Sequence, residues 1–156
     1  MSGMITKAPN DVDGMAAQTG IPTRVVVMEY ANQQTLTAGT GSGTTSTGYS
    51  KSYLQGRAAA GISKIAFLTS TDGAIGAGGN NTNRPTYNAY WDVSGNRTGL
   101  MSYYGALHTD ANVGVVGAAP ASTPYSNTYY FDGIHFTPFG QQYMATNWWV
   151  PAVNGA

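Results

Sequence analysis

Three runs of consecutive apolar residues stand out in a chain otherwise rich in Gly, Ser, Thr and Asn: "RVVVMEYA" (24–31), "KIAFLTS" (64–70) and "VGVVGAA" (113–119). None alternates strictly between apolar and polar. Continuous runs of this length, rich in β-branched residues, predict strands buried on both faces, as in a parallel sheet covered by helices. Between the first two runs "SKSYLQGRAAAG" (50–61) has helix formers, with Ser50 as the expected cap and Gly61 as the stop. The segment 88–110 between the second and third runs carries an interrupted helical pattern. After the third run a helix opens at Thr137 and Pro138, because Thr accepts from a free backbone N–H and Pro has no N–H to lose in a first turn. Ahead of all these, "KAPNDVDGMAAQTGIPT" (7–23) reads as a short helix leading into the first strand.

Strand and helix thus alternate three times, which predicts an α/β fold whose functional groups gather at the carboxyl ends of the strands. The Gly-, Thr- and Asn-rich segments 37–49 and 71–86 follow the first two strands and are read as loops on that rim. "GAIGAGG" within the second is not a phosphate loop, since no Lys-Ser/Thr follows at the required spacing.

Length and composition narrow the picture further. A chain of 156 residues, 42% hydrophobic, is read as one domain, 1–156, able to bury a sizeable core. Only 9% of residues are charged, and seven basic ones balance seven acidic ones. With no basic surplus to displace counterions, a nucleic-acid partner is not expected. No apolar run is long enough to span a membrane, and the first residues lack the basic start and apolar core of a signal peptide. The charge-poor, hydroxyl- and amide-rich palette is common on extracellular and virion surfaces, and such a location is expected. The absence of Cys excludes disulfides and a thiolate nucleophile. No cluster of His, Asp and Glu supports a metal, so no metal or cofactor is expected.

The chemistry centres on "DGIHFTPFGQQYMA" (132–145), which sets Asp132 three positions before His135 at a helix entrance. A carboxylate holding one ring nitrogen lets the other nitrogen take a proton from a hydroxyl, and stabilises the imidazolium that results. The alternative reading of the same residues is a turn-capping Asp132 and a partly buried His135. His108 has no acid at short spacing and is read as a surface or turn residue.

This segment resembles the last block of the SGNH, or GDSL, hydrolase family, which reads Asp-Gly-x-His-x-x-x-x-Gly-x-x-x-x-Ala; Asp132, Gly133, His135, Gly140 and Ala145 match. A second similarity lies at the end of the first run, where "YANQ" aligns Asn32 with the family's oxyanion-stabilising Asn. Tyr30 and Gln33 depart from its Gly and Asp neighbours. The resemblance implies a three-layer, flavodoxin-like parallel sheet of SGNH-hydrolase type, lacking its first strands in this chain. It also implies a serine esterase acting on acyl esters, with His135 as base, Asp132 as its orienter and Asn32 as oxyanion donor. The family's Gly-Asp-Ser block, which carries the nucleophile, is absent from these residues. The serine and first strands are therefore expected from a partner chain or an upstream segment, ahead of any internal serine. Ser42, Ser46, Ser70, Ser94 and Ser122 all read as loop residues, with Ser70 at the end of the second strand the best placed. Aromatic residues between the second and third strands and near 125–130 tilt the expected substrate toward acetylated carbohydrate. The competing expectation is a non-catalytic binding or structural module of a phage-tail or cell-surface assembly that retains the fold.

Overall fold

The computed structural model describes residues 8–19, 24–28, 45–69, 83–110, 113, 128–131 and 135–156. Within them lie three parallel strands and four helices. Helix α1 (Ala8–Thr19) leads to β1 (Arg24–Met28), α2 (Ser46–Ala59), β2 (Lys64–Leu68), α3 (Asn83–Asp92) and β3 (Tyr103–Gly105). Helix α4 opens as Pro138–Met144, widens into a π-helical turn over Ala145–Trp149 and ends α-helical over Val150–Gly155.

The strands lie in the order β1-β2-β3, all parallel, with Val26 opposite Ala66 and Ala66 opposite Tyr103. Strand β2 is in the middle, and its alternating side chains feed two cores. Ile65 and Phe67 pack with Tyr53 and Leu54 of α2 and Tyr87 and Trp91 of α3, while Ala66 and Leu68 pack with Ala152 and Ala156 at the end of α4. Helices therefore cover both faces of the sheet. That is why the second apolar run shows no alternation, while Val26 in the first stays exposed.

Local chemistry sets the ends of the helices. Thr45 caps α2, its hydroxyl accepting from Gly48 N at 3.1 Å. Ser50, the cap expected from sequence, instead lies inside the helix, buried, with its hydroxyl on Ser46 O at 3.0 Å and beside the Tyr87 hydroxyl at 3.1 Å. Gly61 does stop the helix: at φ +86° it lets its own N–H reach Ala58 O and the Ile62 N–H reach Arg57 O, and Ile62 is buried. Helix α1 is tied down by a two-pronged ion pair, Arg57 to Asp13, with both contacts at 2.8 Å and the Arg57 side chain only 5% exposed.

Strand β3 corrects the helical reading of 88–110. That segment is a helix only as far as Asp92, then a 3-10 turn (Ser94–Asn96), then a strand. The strand expected at 113–119 lies outside the described residues apart from Val113, which is buried in a turn. Ser46 opens α2 and is buried rather than lying in a loop, and Ser94 is in the 3-10 turn. Ser42, Ser70 and Ser122 are outside the described residues.

Candidate functional site

His135 stands at the base of a short antiparallel hairpin. Its carbonyl accepts from Phe131 N at 2.9 Å, and Thr137 N donates to Tyr129 O at 2.9 Å, so that Tyr130 faces Phe136 between these two bonds. The two rings stack with centroids 4.8 Å apart. Phe136 packs against the cluster of Leu107, Val113 and Met144, on which Met28 also packs, whereas His135 is exposed. Met28 ends β1 and Leu107 follows β3 by two residues, so the hairpin sits against the carboxyl ends of the strands.

The helix behind the hairpin is locked onto it. Thr137 caps α4 by accepting from Gly140 N at 3.0 Å and at the same time donates to Thr128 O at 2.6 Å. One threonine thus joins the helix entrance to the opposite hairpin strand. Gly140 is needed because a Cβ there would overlap the Tyr129 carbonyl. The glycine of the 132–145 segment has a local packing reason: it lets the helix rest on the backbone of the strand facing His135.

Asp132 and Asn32, the other two sequence candidates, lie outside the described residues. Of the three, the structure describes only His135.

A second constellation lies on the same side of the sheet. The Thr69 hydroxyl, one residue past β2, is 2.7 Å from His108 Nδ1, and His108 Nε2 is 3.1 Å from Asp92 Oδ2. The His108 N–H also donates to Thr69 Oγ1 at 3.1 Å. A neutral His108 satisfies this line with its proton on Nε2, donating to Asp92, while Nδ1 accepts from the threonine. Hydroxyl, imidazole and carboxylate are then in series. Thr69 is fully buried, however, so its oxygen is not presented to a substrate. The series works as a strut joining the end of β2, the turn after β3 and the end of α3.

The Asp92 carboxylate has a second partner. Tyr104 donates to Asp92 Oδ1 at 2.7 Å, and the Arg97 guanidinium lies over the Tyr104 ring at 4.0 Å. Burial, and then the hydrogen bond and negative charge of Asp92, push the Tyr104 phenol well above its ordinary range, with Arg97 acting the other way. This corrects the reading of His108: it does lie in a turn, but with an acid partner. The two residues are sixteen positions apart, and only the fold around β3 brings them together.

A third carboxylate explains the π turn of α4. Asp110 accepts from the Tyr143 hydroxyl at 2.9 Å and from Trp148 Nε1 at 2.7 Å. Five positions apart, these side chains would diverge by roughly 140° on a regular α-helix. The wider turn lets both meet one acid. Together with Tyr130, which donates to Val113 O at 3.1 Å, it fixes the turn after β3 against the hairpin and α4.

Among the described residues no group of three or more His, Asp or Glu is arranged to hold a metal ion, and no helix is long and apolar enough to cross a membrane. Comparison with protein-family models, curated proteins and solved structures finds no match to this chain.

Proposed function

We propose that the chain carries the proton-transfer and oxyanion half of a serine esterase of SGNH type, in that family's flavodoxin-like arrangement. A serine hydroxyl from outside these 156 residues attacks the carbonyl carbon of an acyl ester, and His135 takes its proton. Asp132 holds the imidazole and Asn32 donates its amide to the oxyanion. The carbon–oxygen bond to the alcohol then breaks, with the proton returned from His135 to the leaving oxygen. Water repeats the sequence on the acyl-enzyme and releases the acid.

The observation that carries this reading is the setting of His135. It is exposed, on a hairpin braced by Thr137 and Gly140 against a helix entrance, at the carboxyl side of a parallel sheet covered on both faces. Strand β1 is the edge of the described sheet, the position at which further strands from a partner chain or an upstream segment would pair. Hydrolysis of p-nitrophenyl acetate by the full native protein tests the proposal. His135→Ala is expected to lower kcat/KM by about 10³-fold or more. A rate indifferent to that substitution overturns the reading.

A second reading is a binding or structural module, of a phage tail or cell surface, that keeps the fold without the reaction. It is favoured by the absence of Gly-Asp-Ser and by the 9% charged composition. The same assay separates the two.

A further inference from the structure

The turn after β3 is gripped from two sides. On the sheet side, Thr69 Oγ1 accepts from the His108 N–H at 3.1 Å and stands 2.7 Å from Nδ1 of the same residue, whose Nε2 is 3.1 Å from Asp92. Thr69 N also donates to Gly105 O at 3.0 Å. Strand β3 ends at Gly105 after only three residues. The contacts of His108 therefore extend the anchorage of β2 beyond the strand, into the 3-10 turn Leu107–Thr109.

On the other side the same turn supports the hairpin. Asp110 N donates to Leu107 O at 3.1 Å, and Val113 N to Asp110 O at 3.2 Å. Val113 O accepts from the Tyr130 hydroxyl at 3.1 Å, and Phe136 packs against the cluster of Leu107, Val113 and Met144. Tyr130 and Phe136 are the bridged pair of the hairpin, and the His135 carbonyl, beside Phe136 in the chain, accepts from Phe131 N. Thr69, Leu107, Val113 and Tyr130 are all buried. Close-packed interiors pass a displacement on to their neighbours and do not absorb it.

We infer that His108 is a positioning residue for His135. Held by Thr69 and Asp92, it fixes the turn on which the hairpin rests, and so sets where the backbone of His135 lies. The inference rests on His135 being the base of the proposed esterase; His108 acts through the hairpin and takes no proton from the serine. A role confined to stability would leave the surroundings of His135 as they are in the folded protein.

The test uses Thr69→Val, which removes the oxygen that holds His108, and Thr69→Ser, which keeps it. In imidazole NMR spectra of the full native protein, the signal lost in His135→Ala identifies His135. That signal is expected to shift in Thr69→Val and to return to its native position in Thr69→Ser. With p-nitrophenyl acetate, Thr69→Val is expected to lower kcat by about 10- to 100-fold with KM little changed, the cost of misplacing a catalytic group by up to about 1 Å, and Thr69→Ser to restore most of it. If Thr69→Val does not fold, Asp92→Ala takes its place: this side chain is 46% exposed, and its loss releases the other end of the His108 ring. A His135 signal unchanged in the folded variant overturns the inference, while His135-dependent hydrolysis stands. A shifted signal with no His135-dependent hydrolysis removes the esterase reading and leaves the hold of His108 on the hairpin, so the two failures are distinct.

Discussion

Thr69 shows how much one hydroxyl can hold together. It is fully buried, accepts from the His108 N–H and meets the His108 ring at 2.7 Å, so a single oxygen fixes both the backbone and the side chain of the turn after β3. Thr69→Val keeps the shape and removes both contacts. The expected cost is about 1–3 kcal/mol, because polar groups of His108 are left unsatisfied. A urea midpoint that falls with the slope unchanged would show it; an unchanged midpoint would mean that the strut contributes nothing. At the other end of the strut, Tyr104 makes a pH-dependent contribution. Its phenol titrates above the ordinary value of 10.0 because of burial and Asp92. A proton held more tightly in the folded than in the unfolded chain adds stability that is complete below about pH 10 and lost as pH rises through the folded value. Stability should therefore fall on the alkaline side. In an absorbance titration at alkaline pH, Tyr104→Phe should remove one late-ionising phenol and flatten that fall.

At the scale of elements, the contact between helix α4 and the hairpin is the sharpest case. Gly140→Ala drives a methyl into the Tyr129 carbonyl and forces the helix entrance away from the strand facing His135. Overpacking of this kind costs about 1–3 kcal/mol, and with a chain of this size the melting temperature should drop by roughly 2–12 °C. A melting temperature equal to that of the native chain would remove the packing role assigned to this glycine. Elements that build their own signal were legible in the sequence. β1 and β2 announce themselves as continuous apolar runs, and Thr137, Pro138 and Gly61 mark helix ends through chemistry local to those residues. β3 gives no such signal. Its three residues, Tyr103, Tyr104 and Gly105, draw their order from pairing with β2, and Gly105 is there because a Cβ would collide with Leu68. A glycine that serves a long-range contact looks like a breaker when read along the chain. The cap of α2 is set by tertiary contact for a related reason: Thr45 and Ser50 are both of a capping type, and burial of Ser50 against Tyr87 leaves Thr45 at the cap.

At the scale of the whole molecule, a sheet with helices on both faces brings together groups that are far apart in sequence. Asp92, His108 and Thr69 meet across separations of sixteen and thirty-nine positions. No spacing rule could have revealed them. Asp132 and His135 are instead three positions apart in the sequence, so a spacing rule can propose them as a pair. Of that pair the structure describes His135 alone; Asp132 and Asn32 lie outside the described residues. The account therefore turns on whether His135 activates a serine. Labelling the full native protein with a fluorophosphonate, followed by intact and peptide mass analysis, measures this most directly. One adduct on a serine of a Gly-Asp-Ser segment outside these 156 residues, lost in His135→Ala, is the predicted result. No adduct, or an adduct that forms equally well in His135→Ala, would contradict it.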